Sequence, residues 1–183
     1  MPEIGESSYR RFLQGERQGL EELIRTYSDP LIRYAYGYVK NAAVAEDVME
    51  ESFAALWMKA PAIRDDEHFR AWLYKVTRSK CVDYLRRHRR EVPLEDVENV
   101  LSSGDVQESL FRQERNRTLY RCMQTLPEQY REVLQLAYFD RFSTEDICRI
   151  MGKSAKQVYN LQARAKTALK DRLQKEGISN EDL

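Results

Sequence analysis

The sequence predicts an all-α protein of two small helical domains, an N-terminal helical bundle and a C-terminal helix-turn-helix, joined by a flexible acidic linker. A third of the 183 residues are charged, whereas glycine (7) and proline (5) are scarce. This composition is typical of long helices rather than of sheets joined by tight turns. Apolar residues also recur at steps of three and four, the spacing that places them on one face of a helix. A chain of this length can hold one ordinary domain or two small ones.

The N-terminal domain, residues 1–90, is predicted to contain a bundle of amphipathic helices. An apolar stripe runs from Leu20 to Val39, and Pro30 within it either kinks this helix or starts a second one. The next helix is expected at Ala42–Lys59, capped by Asn41. The residues expected on its inner face are Val44, Val48, Leu56 and Trp57.

A further helix is expected from about Glu67 to Arg87. Its predicted core stripe is Phe69, Trp72, Leu73 and Val76. On the other side a mostly polar and basic stripe recurs at helical spacing, formed by Lys75, Arg78, Ser79, Val82 and Arg86. Aromatic side chains and cations alternate along this helix, a mixture that single-stranded nucleic acid favours.

Residues 91–112 are predicted to be a partly disordered linker. Glu91–Phe111 contains six acidic side chains and no cation, together with residues that favour turns. Too few large apolar groups recur at helical spacing there to form a core. The linker therefore separates two domains.

The C-terminal domain, residues 113–183, contains the outline of a helix-turn-helix. A Ser-Thr-Glu-Asp motif beginning at Ser143 fits a capping box that opens a short helix. Gly152 fits the position that closes this helix, and Ser154 with Gln157 fits a second capping box that opens a long one. Two capped helices joined by a short glycine turn are the arrangement of many DNA-binding domains.

The long last helix is amphipathic. Its predicted inner stripe is Val158, Leu161, Ala165, Leu169 and Leu173. The outer stripe consists of Lys156, Asn160, Ala163, Arg164 and Thr167. In a major groove, arginine pairs with guanine, asparagine with adenine and small side chains with the thymine methyl group, while lysine contacts phosphate. A solvated charged face is the alternative, but the capped helix and tight turn before it favour DNA recognition.

Charge is segregated along the chain although the formal net charge is zero. Residues 57–90 carry ten cations against four anions, and residues 153–175 carry seven cations against Asp171 alone. Two basic segments on either side of an acidic one predict two contacts with a polyanion.

Other classes of function find little support in the sequence. The chain has neither an apolar run of membrane-helix length nor a signal-peptide core, so we expect a soluble cytoplasmic protein without membrane insertion. Cys81, Cys122 and Cys148 lack metal or redox spacing and are expected to be reduced structural thiols. The two histidines, His68 and His88, belong to no recognisable catalytic or metal motif. We therefore expect a protein that is not an enzyme and has no catalytic residue, cofactor or metal.

Three segments together resemble the two conserved domains of the extracytoplasmic-function sigma factors, which are bacterial transcription initiation factors. They are VKNAAVAEDVMEESFAALW, FRAWLYKVTRSKCVDYLRRHRR and LPEQYREVLQLAYFDRFSTEDICRIMGKSAKQVYNLQARAKTAL. The resemblance covers roughly residues 20–173 and is specific, because the motifs occur in the order and spacing of the family.

The resemblance implies a sigma factor that binds RNA polymerase core and directs promoter-specific initiation. The first domain would recognise and melt the minus-ten element, and the second would read the minus-thirty-five element and rest on the β flap. The residues implied in binding the β′ clamp helices are Glu46, Asp47, Glu50, Glu51 and Phe53. Those implied in minus-ten DNA contact are Lys75, Arg78, Ser79, Arg86 and Arg87. Those implied in minus-thirty-five DNA contact are Lys156, Tyr159, Asn160, Ala163 and Arg164. An anti-sigma factor is a further partner that the resemblance leaves open.

Two positions depart from the family pattern. Glu50 stands where the family usually has glutamine, which makes the docking face more acidic. Ser79 stands where asparagine is usual, so the base preference at the minus-ten contact is not carried over.

Two other functions remain open on the residues alone. A self-standing helix-turn-helix regulator, whose N-terminal bundle senses a ligand or dimerises, would bind duplex DNA tightly without polymerase. A helical nuclease would need metal-binding carboxylates beside the basic helix. Asp65, Asp66 and Glu67 are the only candidates for these, and they fit a helix cap instead.

Overall fold

The computed structural model describes residues 4–59, 68–88 and 114–177. These residues are largely helical and include no strand, so the all-α prediction is confirmed. The α-helices are α1 (Ile4–Leu13), α2 (Arg17–Val39), α3 (Ala42–Lys59), α4 (Phe69–His88), α5 (Glu114–Gln124), α6 (Glu128–Leu134), α7 (Thr144–Met151) and α8 (Ala155–Lys175). A π-helical turn, Gln135–Phe139, follows α6 directly.

The helices form two compact units. The first contains α1 to α4, and the second contains α5, α6, α8 and the first part of α7. The prediction of two helical domains is therefore confirmed. The predicted linker at residues 91–112 and the carboxylates Asp65, Asp66 and Glu67 lie outside the described residues.

Helix α2 is central to the first unit, since α1, α3 and α4 all pack against it. It runs as one helix from Arg17 to Val39 with Pro30 inside it. The alternative in which Pro30 starts a second helix is therefore wrong. Tyr27, Leu31 and Tyr34 are buried before and after the proline. Their burial offsets the loss of the one helical hydrogen bond that proline cannot donate.

Helix α1, which no sequence pattern predicted, adds a fully buried aromatic side chain to this core. Tyr9 stacks on Phe69 of α4 with ring centroids 4.5 Å apart. The approach of α1 to α2 depends on Gly19, because a Cβ there would lie 2.5 Å from the backbone nitrogen of Phe12. Only a residue without a side chain fits so close to a neighbouring backbone.

Half of the predicted inner residues of α3 and α4 lie in the core. Val48 and Leu56 of α3 are buried, as are Phe69 and Leu73 of α4. Val44 of α3 is half-buried, and Trp57 departs furthest from the prediction, because 61% of it is exposed. Its predicted place on the inner face is wrong. Successive helical residues differ in direction by about 100°, and Leu56 takes the inward direction at this end of α3.

The interface between α3 and α4 also contains two buried hydroxyl groups. Thr77 Oγ1 donates to Ser52 Oγ at 2.9 Å, and Ser52 Oγ donates to the carbonyl oxygen of Val48 at 2.7 Å. Polar groups are tolerated in a core when they are hydrogen-bonded in this way. Trp72 and Val76, predicted for the same stripe of α4, are only half-buried.

Helix α8 holds the second unit together by packing against α5 and α6. Of its predicted inner stripe, Val158, Ala165 and Leu173 are buried, whereas Leu161 and Leu169 are half-buried. The inner face of α8 is therefore the one that the sequence predicts. Its opposite face is left for other contacts.

Candidate nucleic-acid and partner interfaces

Helices α7 and α8 form the predicted helix-turn-helix. Ser143 caps α7, its Oγ accepting from the N–H of Asp146 at 3.1 Å. Gly152 ends α7 in the left-handed conformation, with φ of 64°. Ser154 then opens α8 through a complete capping box with Gln157. These bonds are local in sequence, and they fix where α8 begins.

All five residues predicted to contact the minus-thirty-five element are exposed on α8. They are Lys156, Tyr159, Asn160, Ala163 and Arg164. Tyr159 is 60% exposed, which is unusual for a large aromatic side chain and leaves its ring accessible to a partner. The structure therefore brings these residues together on one helix, on the side away from the buried stripe.

A shallow groove of about 200 Å³ lies along the first turns of α8. Its lining residues are Lys153, Gln157, Asn160, Leu161 and Arg164. The groove combines two cations with two side-chain amides, which are the donor groups that read guanine and adenine edges and hold phosphates. Lys153 and Gln157 were not among the predicted contact residues. Gln157 was recognised only as a capping residue, and its position three residues before Asn160 and seven before Arg164 could have indicated the second role.

The basic face of α4 is the candidate minus-ten surface. Lys75, Ser79, Arg86 and Arg87 are exposed, and Arg78 is half-buried. Of these, Arg86 is paired with Asp83 at 3.2 Å across one turn. Val82, which the sequence placed on the same stripe, is 41% exposed. The stripe that the sequence predicted to face away from the core therefore lies on the outer side of α4.

The acidic face of α3 is the candidate docking surface for polymerase. Glu46, Asp47, Glu50 and Glu51 are all exposed. Phe53, predicted with them, is only 7% exposed, so it packs inside the bundle and is not presented to a partner. The helix is held in place by its cap, in which Asn41 Oδ1 accepts from the N–H of Val44 at 3.1 Å.

An apolar end, which the sequence pattern did not indicate, continues this acidic face. Trp57 and Met58 at the end of α3 are 61% and 80% exposed. The Trp57 ring contacts Phe12 of α1 with centroids 5.6 Å apart. Leu13, the next residue of α1, is 41% exposed. An acidic surface with an exposed aromatic anchor is suited to protein–protein contact.

The described residues include no metal-binding cluster, and the cysteines among them are not joined by disulfides. In those parts of the chain, no cluster of three or more His, Cys, Asp or Glu side chains could hold a metal ion. Cys81, Cys122 and Cys148 are free cysteines. Burial raises the pKa of the Cys122 thiol, which keeps it in the unreactive protonated form. No helix in the described ranges is long and apolar enough to cross a bilayer.

Comparison with known proteins adds sequence and fold similarity to this geometry. The family model for Sigma-70 region 2 matches residues 23–91, and the model for Sigma-70, region 4 matches residues 116–169. The chain is similar to the ECF RNA polymerase sigma factor SigM of Bacillus subtilis (strain 168). The two are 28% identical over 163 residues, which cover 88% of this chain and 99% of SigM.

Two solved structures have a similar fold. One is CnrH in complex with the cytosolic domain of CnrY, with a TM-score of 0.67 at 21% identity, over 93% of this chain and 97% of CnrH. The other is the sigma factor RpoE in complex with the anti-sigma factor NepR from Bartonella quintana. It has a TM-score of 0.66 at 18% identity, over 84% of this chain and 96% of the other.

Proposed function

Because the chain belongs to the extracytoplasmic-function sigma factors, we propose that the exposed faces of α3, α4 and α8 direct transcription initiation. It functions in promoter-specific transcription initiation by RNA polymerase, as the two sigma-70 regions and the similarity to SigM indicate. The domains that carry this function span residues 1–90 and 113–183. The acidic segment at residues 91–112 tethers them.

The acidic face of α3 docks on RNA polymerase core, at the β′ clamp helices. Glu46, Asp47 and Glu50 supply negative charge for a basic partner, and Trp57 supplies an apolar anchor at the end of the same helix. Charge on such a surface speeds association and selects the partner, whereas a buried aromatic anchor contributes much of the affinity. Phe53 contributes indirectly, by packing α3 against the bundle.

The basic face of α4 contacts and helps to melt the minus-ten element. Lys75, Arg78 and Arg87 provide cations for the phosphates, and Ser79 directly follows Arg78, one helical turn after Lys75. Cations beside aromatic side chains suit a DNA strand whose bases have been unstacked. Arg86 is paired with Asp83 through Nη2 in this structure, and its guanidinium has further N–H donors for a DNA phosphate.

Helix α8 reads the minus-thirty-five element in the major groove. The observation that supports this proposal is the exposure of the outer face of α8. Lys156, Asn160 and Arg164 are exposed on a helix whose start is fixed by a capping box and whose opposite face is buried. A recognition helix needs both properties, because its side chains must reach base edges from a fixed position. The second unit also rests on the β flap of the polymerase.

Catalysis belongs to the polymerase, and this chain acts as a dissociable specificity subunit in the cytoplasm. It requires no cofactor. The RpoE of the solved structure is bound to the anti-sigma factor NepR. A regulator of that kind is the remaining partner that we propose for this chain.

A promoter library tests the assignment of α8. Purified protein is mixed with polymerase core, and transcripts are sequenced from templates randomised in the minus-thirty-five element. Arg164→Ala should relax base preference at one or two adjacent positions, because a good bidentate contact contributes about 1–3 kcal/mol of discrimination. Lys156→Ala should instead lower output about equally on all templates and reduce its salt dependence, as expected for a phosphate contact.

The outcome would contradict the proposal if Arg164→Ala lowered output uniformly without any change of base preference. Absence of specific initiation by the wild-type protein would favour a self-standing regulator. Such a regulator would bind duplex DNA equally well without core polymerase.

A further inference from the structure

The amide group of Gln157 is held in one orientation by the start of α8. Its Oε1 accepts a hydrogen bond from the backbone N–H of Ser154 at 2.8 Å. In return, Ser154 Oγ accepts from the backbone N–H of Gln157 at 3.3 Å. One end of the amide is therefore committed to the capping box.

The other end of the same amide, Nε2, is not used by the capping box. Gln157 is an exposed residue and lines the α8 groove together with Lys153, Asn160 and Arg164. Its Nε2 carries two N–H donors. The hydrogen bond of this side chain to the described residues uses Oε1. The capping box thus presents a pair of oriented donors beside the side chains that we assign to base reading.

We propose that Gln157 is a specificity-determining residue that reads the minus-thirty-five element as a hydrogen-bond donor only, through Nε2. The inference rests on the proposed role of α8, and it adds Gln157 to the residues assigned to that role. Because a donor needs an acceptor, the bases that suit it best are guanine, through O6 and N7, and thymine, through O4, whereas adenine offers only N7, beside its N6 donor. Cytosine offers only its N4 donor group at this edge.

Adenine is disfavoured because its single acceptor, N7, lies beside a donor group and because the cap prevents the usual contact with two hydrogen bonds. Glutamine usually reads adenine with both ends of its amide, Oε1 accepting from N6 and Nε2 donating to N7. Turning both ends toward a base edge would remove Oε1 from the N–H of Ser154. That N–H lies at a helix start, where it has no partner within the helix. The cost of leaving it unsatisfied reduces the gain from adenine.

Two variants separate the capping role of Gln157 from its reading role. Gln157→Glu keeps the cap, since glutamate is the residue that capping boxes commonly take at this position, and its charge suits a helix N-terminus. It replaces the two N–H donors by an acceptor oxygen. Gln157→Ala removes both the cap partner and the donors. Gln174→Glu, at an exposed position near the end of α8, makes the same change of charge away from the groove.

The measurement is base preference in transcription by the reconstituted holoenzyme on the randomised library. Wild-type protein should prefer guanine or thymine at one position by roughly 2- to 12-fold, the range for one hydrogen bond. Gln157→Ala should remove this preference, and Gln157→Glu should shift it toward cytosine, whose N4 can donate to the new carboxylate. Gln174→Glu should change neither preference nor output. Helical content by circular dichroism should be retained by Gln157→Glu.

Two results would overturn the inference. Equal loss of output on all templates in both Gln157 variants would make Nε2 a phosphate donor, and unchanged output and preference would exclude contact with DNA. If Arg164→Ala alters base preference while the Gln157 variants do not, only the role of Gln157 fails. If neither residue affects base preference, the assignment of α8 itself fails.

Discussion

Lys80 Nζ lies 3.0 Å from Oε2 of Glu51, so an ion pair joins the acidic face of α3 to the basic helix α4. The Lys80 side chain is 28% exposed and that of Glu51 is 64% exposed. Water screens a pair of this kind, and its contribution to stability is about 0–1 kcal/mol. The pair matters instead because Glu51 belongs to the acidic face of α3 and also contacts α4. A change at Glu51 would therefore disturb both the docking face and the packing of the two helices.

The docking surface is therefore tested at Asp47 and Glu50, which are exposed on the same face. Replacing both by lysine should weaken binding to core polymerase, because a basic partner would then meet like charge. The free energy of unfolding should change by no more than about 0.5 kcal/mol per site, as is usual for surface substitutions. Competition with wild-type protein for core polymerase measures the effect.

A matched control carries the same change of charge on another helix of the first unit, at the exposed residues Glu21 and Asp29 of α2. This control should compete like the wild type. Normal competition by the Asp47→Lys, Glu50→Lys variant would rule out α3 as the docking helix.

Features that depend on neighbouring residues in the chain could be predicted from the sequence. Two examples are the capping box at Ser154 and Gln157 and the turn at Gly152. The residues that form each of them are only a few positions apart, so both can be recognised from the sequence alone. The outer face of α8 followed from the same local information. The orientation of Lys156 and Arg164 was therefore predicted correctly.

Features that depend on distant parts of the chain could not be predicted in this way. Trp57 looked like a core residue because it is large and apolar, but the inward position at that end of α3 belongs to Leu56. Thr77 looked polar, yet it is buried because Ser52 of another helix supplies its partner. Tyr9 is buried against Phe69, sixty residues later, and no local pattern reports such a contact.

The role of α4 in melting predicts a defect specific to open complexes. Replacing Lys75 and Arg78 by alanine should reduce open-complex formation more than closed-complex binding, because these cations lie on the face assigned to the unpaired strand. Permanganate reactivity of the minus-ten thymines measures opening, and a mobility shift of the closed complex measures binding. Alanine at Arg17 and Arg25, exposed on α2, serves as the control. Normal thymine reactivity in the first variant would exclude this face of α4.

Substitution of Gly19 should destabilise the first unit. In Gly19→Ala the new Cβ would lie 2.5 Å from the backbone nitrogen of Phe12 and 2.6 Å from the carbonyl oxygen of Ser8, so α1 must move away from α2. We expect a cost of about 1–3 kcal/mol, the usual range for overpacking. Urea unfolding followed by tryptophan fluorescence measures it, since Trp57 contacts Phe12. Gln18→Ala, at the exposed neighbouring position, should have little effect, and equal stability of the two variants would contradict the close contact of α1 and α2.

The pairing of Glu22 predicts a pH dependence of stability. A hydrogen bond from Ser8 lowers the pKa of Glu22, burial opposes this effect, and the charge of Arg11 adds to it. Because the folded pKa lies below the ordinary value of 4.5, the contribution of this carboxylate is present above that pH. It is lost as the pH falls through the folded pKa. Glu22→Gln should therefore be less stable than the wild type at neutral pH, and the difference should shrink in acid. A difference that stays constant from neutral pH to below the folded pKa would refute the assignment.

The turn of the helix-turn-helix depends on the left-handed conformation of Gly152, with φ of 64°. A Cβ at this position would meet nothing within 4 Å, so the cost of Gly152→Ala comes from the backbone alone. That cost is about 1–2 kcal/mol, and Gly152→Asn should cost less because asparagine tolerates this conformation. Hydrogen exchange of the amides in α7 and α8 measures the loss of protection.

Tryptophan fluorescence provides an internal control for the same variants. Both tryptophans, Trp57 and Trp72, lie in the first unit, so their unfolding signal should be unchanged in either variant. Transcription should fall further for Gly152→Ala than for Gly152→Asn, while competition for core polymerase through α3 is preserved. If alanine and asparagine at this position gave equal protection and equal transcription, the turn would not require a left-handed residue, and the start of α8 would be set by Ser154 alone.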